Sequence, residues 1–169
     1  MRILLALAAA GALAACSSAP APSSATASPS PAPAVPTFAD VSRGDSTSVV
    51  KLISFDAKAR SAVAEPTIFL LGPDFCEAFH LPSSDPRCER DWNTEDSNTR
   101  VTLPVAGDAE LLTIHGGDPE CFGDDTLIVG TCELTPAKFA ALAEDSGEML
   151  AQLTVVDGTA TRIAEVYTP

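Results

Sequence analysis

The side chains that could do chemistry in this chain are few. Five cysteines, two histidines and an excess of carboxylates are the candidates. Cys76, Cys88, Cys121 and Cys132 fall into two close pairs, the first with the second and the third with the fourth. Four cysteines in an exported domain read as two disulfides, and they allow three pairings. Closing a short loop is the easier event, so Cys76–Cys88 and Cys121–Cys132 are expected. In the chain-entropy picture each contributes about 3 kcal/mol. Zinc ligation by these thiols with His80 and His115 would call for closely spaced ligands of the CxxC or HxxxH kind, and the sequence has neither.

Carboxylates offer a second chemistry. "DPECFGDD" places Asp118, Glu120, Asp124 and Asp125 within residues 118–125, next to a cysteine. Oxygen-rich loops bind Ca²⁺ when several carboxylates and carbonyls converge, so these four are the candidate cation ligands; the expectation is no cofactor, with Ca²⁺ as the alternative. Asp91, Asn93 and Glu95 alternate like the opening of an EF-hand loop. Asp96 stands where that loop needs Gly and Thr102 where it needs Glu, so the match fails.

Signatures of catalysis are missing. The sequence holds no G-x-S-x-G, no HExxH, no phosphate loop and no dinucleotide fingerprint. "HGGD" at 115–118 departs from the esterase oxyanion loop at its fourth residue, and its glycines read as a turn. Trp92 and Tyr167, each the only one of its type, could stack on a sugar or a peptide, although one aromatic is not a platform. A formal charge of −13 argues against nucleic acid and anionic lipid, both of which select basic patches. The expectation is a protein that is not an enzyme.

Cys16 remains. It follows Met1-Arg2 and the apolar run of residues 3–15. One positive charge, a short apolar stretch and small residues before a break have the form of a signal peptide. The run is shorter than the roughly 20 residues that span a membrane. Leu13-Ala14-Ala15-Cys16 resembles the lipobox of bacterial lipoproteins at all four places. That resemblance implies removal of residues 1–15 and a diacylglyceryl group on the Cys16 thiol. Two or three acyl chains anchor a protein stably where one does not. The expected location is therefore the extracytoplasmic face of the cell membrane. The composition, rich in Ala, Pro, Gly, Asp and Thr, resembles that of uncharacterised exported lipoproteins of GC-rich Gram-positive bacteria.

Residues 16–37 are the lipidated cysteine and an uncharged Pro/Ser/Ala linker, expected to be disordered because it cannot bury enough apolar area. Extended at about 3.1 Å per residue it would reach about 65 Å. Residues 38–169 form one domain near the modal size.

The elements that must hold the candidate groups are mostly strands. "SVVKLISFD" (48–56) and "SAVAEPTIFLLG" (61–72) are rich in β-branched residues and predict a hairpin, with Pro66 at an edge or a break. "TRVTLPV" (99–105) and "AELLTIH" (109–115) predict a second hairpin turning at Ala106-Gly107-Asp108. Asp157-Gly158, between two β-rich runs, predicts a third with a type I′ turn. "FDAKARSAVAEP" and "VDGTATRIAEV" echo each other as two similar hairpins. Thr135 as N-cap, Pro136 at the first position and Gly147 beyond the end define a helix, with Phe139, Leu142 and Ala143 on its apolar stripe. A shorter helix is expected over 73–80, burying Phe75 and Phe79.

The fold class is thus mostly β (α+β): a small antiparallel sheet, or an OB-like barrel, of five to seven strands with one or two short helices. The functional expectation is a membrane-anchored, exported binding module. Its partner would be an envelope protein or a glycan. A Ca²⁺ or small-ligand module using 118–125 is the alternative.

Overall fold

Strands β1 (Ser46–Asp56) and β2 (Ser61–Leu71) pair antiparallel, as their β-branched runs predict. The turn between them is local chemistry. Asp56 Oδ1 accepts the N–H groups of Lys58 and Ala59, both at 2.8 Å, and Arg60 takes a positive φ of 50°. The structure, a computed structural model, describes residues 35–123 and 127–168. Cys16 and most of the linker lie outside the described residues, as do Asp124 and Asp125.

Further along come helix α1 (Gly72–Ala78), strands β3 (Trp92–Asp96), β4 (Val101–Thr113) and β5 (Cys132–Glu133), helix α2 (Pro136–Ser146), and strands β6 (Met149–Val156) and β7 (Thr159–Glu165). β6 and β7 form the hairpin predicted at Asp157-Gly158. Both turn residues have positive φ, 49° and 74°, as a type I′ turn requires.

The expected hairpin at 99–115 is one long strand instead. Ala106, Gly107 and Asp108 do not turn the chain back but form a bulge inside β4. The β4–β7 register shifts there, with Val105 opposite Ala160 and Glu110 opposite Arg162. Small and turn-prone residues serve a bulge as readily as a turn, and local sequence does not separate the two. The bend lets β4 serve three partners: Val101–Pro104 pair with β2, Val105 and Glu110–Leu112 with β7, and Leu112 and Thr113 with β5.

The pairings close a ring. β1 joins β2, β2 joins β4, β4 joins β7, β7 joins β6, and β6 joins β1. Only β4–β7 is parallel, so the sheet is mixed rather than purely antiparallel. A five-strand Greek-key ring of this connectivity is the OB-like barrel. Its interior takes alternate residues: Val50 and Leu52 from β1, Leu103 and Val105 from β4, and Met149, Ala151, Leu153 and Val155 from β6.

Helix α2 packs against this core. Thr135 Oγ1 accepts from Lys138 N–H at its start, and Gly147 ends it with φ 71°. Phe139 is fully buried and meets Phe55 edge-to-face, ring centroids 5.3 Å apart. Ala143 is buried beside it, and Leu142 is half-buried.

Two additions sit outside the barrel. Past Pro66, β2 leaves β1 and pairs only with β3, making a two-stranded ribbon. Pro66 falls between the β4-paired and β3-paired parts of β2, the break where a missing N–H costs least. α1 follows, shorter than expected: Phe75 is buried, whereas Phe79 lies beyond the helix end and is half-buried. The Cys76–Cys88 disulfide ties α1 to a 3₁₀ turn at Pro86–Glu89. Gly72 permits this contact, since a Cβ there would lie 2.0 Å from the Arg90 carbonyl oxygen. The second addition is the segment between β4 and β5, closed by Cys121–Cys132. Both disulfides are the ones expected from spacing.

Candidate binding cleft

β3 is the element that sequence reasoning did not find, and it carries the site. "WNTED" is short and polar, and the same residues read as an acidic loop. In the structure Trp92, Thr94 and Asp96 alternate with Asn93 and Glu95 across the strand. The EF-hand-like spacing of Asp91, Asn93 and Glu95 is therefore strand alternation. Asn93 is buried, and its Nδ2 donates to the Arg87 carbonyl at 2.7 Å.

On the other face of the ribbon, Trp92 stacks on Phe69 of β2 at 5.7 Å with 20° between the rings. Opposite lies an apolar cluster on the outside of the barrel. It is built from Leu112, Val129, Ala164 and Val166, with Leu127 and Leu150 packed against it. Gly130 lets this segment approach β4, because a Cβ would stand 2.4 Å from the Thr113 backbone. Phe69 of the ribbon packs against this cluster, and beside that contact runs a cleft.

Two hollows lie in this cleft and a third runs along the outer edge of β3; Trp92 lines all three. One of about 160 Å³ lies between Phe69, Leu71, Trp92, Leu127, Ile128 and Tyr167. A second of about 380 Å³ is bounded by Lys51, Trp92, Thr94, Glu148, Glu165 and Val166. The third, about 550 Å³, follows β3 past Arg87, Glu89, Arg90 and Asp91. The unique Trp and the unique Tyr thus share one hollow, although 75 positions separate them in the chain. Tyr167 also packs on Phe122, ring centroids 4.9 Å apart.

Charges frame the cleft. Lys51 Nζ donates to Asp96 Oδ2 and lies 3.7 Å from Glu148. The hydrogen bond to Asp96 raises the Lys51 pKa above its ordinary value, against the opposing pull of burial. Glu165 Oε2 accepts from Thr113 Oγ1 at 2.6 Å and from Ile114 N–H at 3.1 Å, which fixes the cleft's inner wall. At the outer end Asp85 takes two hydrogen bonds from the Arg87 side chain and one from its backbone, and these hold its pKa at about 2. The Arg87 guanidinium also lies over the Phe75 ring, 5.7 Å from its centroid.

The other candidates are placed as follows. Asp118 caps the 3₁₀ turn Pro119–Cys121, its Oδ1 accepting from Glu120 N–H at 3.0 Å. Asp118 and Glu120 line a separate cleft of about 430 Å³ with His115, Glu133 and Lys138. Among the described residues no three His, Cys, Asp or Glu side chains converge as metal ligands. His80 and His115 are exposed, in turns with φ of 53° and 48°.

Comparison of the chain with protein-family models, curated proteins and solved structures finds no match.

Proposed function

We propose that this protein is a lipid-anchored, non-enzymatic binding module of the cell envelope that engages its partner through the cleft at Trp92. The observation that carries the reading is the convergence of the chain's only Trp and only Tyr on one open apolar hollow. Surface positions that combine aromatic rings with charged rims are where partners bind with most energy per residue. The lipobox at Leu13–Cys16, the linker after it and the exported character of a twice-stapled domain support anchoring and display outside the membrane.

Two exposed apolar residues allow a controlled test. Leu71, 49% exposed, lines the cleft, whereas Val156, 42% exposed, sits beside the β6–β7 turn. A photo-crosslinking amino acid at position 71, in intact cells, is expected to capture a discrete envelope partner, and Trp92→Ala is expected to abolish the adduct. The same probe at position 156 is expected to capture none. Equal yields at the two positions, indifferent to Trp92→Ala, would refute the cleft as the binding surface.

A further inference from the structure

We infer that the open edge of β3 takes up an extended peptide as an additional strand, and that this peptide alternates basic with apolar side chains. The inference rests on the Trp92 cleft as the binding surface and deepens it by naming the ligand.

The backbone pattern carries the first half. Ser97 N–H donates to Pro66 O, and Gly72 N–H donates to Asp91 O. Both pairs share the register of the β2–β3 ladder, in which Thr67 faces Asp96 and Leu71 faces Trp92. Bonded and non-bonded pairs alternate in an antiparallel ladder. Asn93 and Glu95 therefore turn their N–H and C=O groups toward β2. Trp92, Thr94 and Asp96 turn theirs outward, and among the described residues β3 pairs with β2 alone. Such an edge is a template for another strand. The hollow of about 550 Å³ lies along this edge, from Arg87 to Thr94, so the space a new strand would fill is open.

Side-chain chemistry carries the second half. An added strand presents successive side chains to opposite faces. On one face they would meet Trp92 and Thr94, with Phe69 and Leu71 behind them on β2 and Asp96 held by Lys51, so the Trp92 end calls for apolar groups. On the other they would meet Glu95 and, beyond Asn93, Asp91, while Glu89 lines the same hollow as Asp91. Among the described residues these three carboxylates form no ion pair, while Arg87 is committed to Asp85 and Asp96 to Lys51. Two cations line this hollow, Arg87, which is paired with Asp85, and Arg90. Basic groups are thus the complement. The chain's charge of −13 opposes a second copy at this edge.

The test uses the full chain in phosphatidylcholine nanodiscs, titrated with acetylated, amidated Lys-Val-Lys-Val-Lys-Val. Emission of the only Trp reports binding. Amide exchange at Trp92, Thr94 and Asp96 is expected to slow by at least about tenfold. Affinity is expected to fall by at least about tenfold for the peptide N-methylated at alternate residues, for the Glu-Val analogue, and for Thr94→Pro, which removes one outward N–H. Unslowed exchange, or equal affinity of the N-methylated peptide, overturns strand addition whether or not Thr94→Pro folds. An emission change without slowed exchange overturns it while leaving the Trp92 cleft standing. A dimer in sedimentation without peptide, dissolved by Thr94→Pro, assigns the edge to a second copy and overturns it too.

Discussion

At the scale of single residues, the outer end of the cleft depends on Asp85. Its carboxylate accepts three hydrogen bonds from Arg87 and caps the 3₁₀ turn that leads to β3. A depressed carboxyl pKa stabilises the folded state above the ordinary value, 3.8 here, and that contribution is lost as pH falls through about 2. Following the Asp85 side-chain carbon by NMR should give a midpoint near 2. Arg87→Gln should move that midpoint back toward 3.8, and an unmoved midpoint would exclude Arg87 as the cause. Little of this is visible in the sequence. Asp85 and Arg87 are two residues apart, but many such pairs are solvated and unpaired. Trp92 and Tyr167 were identifiable as stacking candidates by their rarity. Their meeting depends on β3 and the chain after β7 arriving at one place, which no local pattern encodes.

At the scale of elements, the readable parts are those whose signals are local. The β1–β2 and β6–β7 hairpins and α2 follow from β-branched runs, a type I′ turn and helix caps within a few residues. β4 and β3 are not legible in the local sequence, for physical reasons. A Gly-Asp pair suits a turn and a bulge equally. A five-residue polar strand gains its stability from the ribbon it joins rather than from its own propensity. The echo between the two hairpins has a structural counterpart, since β2 and β7 both pair with β4. The ribbon depends on its staple. Replacing Cys76 and Cys88 by Ala should cost about 3 kcal/mol in denaturant unfolding. It should also speed amide exchange in β3 before the barrel strands respond, as a locally cooperative unit would. Uniform acceleration across barrel and ribbon would show that the disulfide acts on the whole domain instead.

At the scale of the whole molecule, the barrel holds the core and the insertions form the cleft. Its core is one continuous apolar cluster closed by Phe139, and the cleft lies outside it, between additions stapled by the two disulfides. A formal charge of −13 disfavours adhesion of the domain itself to an anionic membrane. In the proposed reading attachment comes from Cys16 instead. Acyl chains at that position would hold the domain at a distance set by the linker, with the Trp92 cleft free to meet partners. Anchoring at Cys16 is the claim on which display of the cleft depends, and intact-mass spectrometry of the protein extracted from membranes tests it most directly. The expected mass is that of a chain starting at Cys16 and carrying a diacylglyceryl group, shifted by any amino-terminal acyl chain. A membrane-extracted chain with an unmodified Cys16 thiol, or one beginning anywhere else, would contradict it.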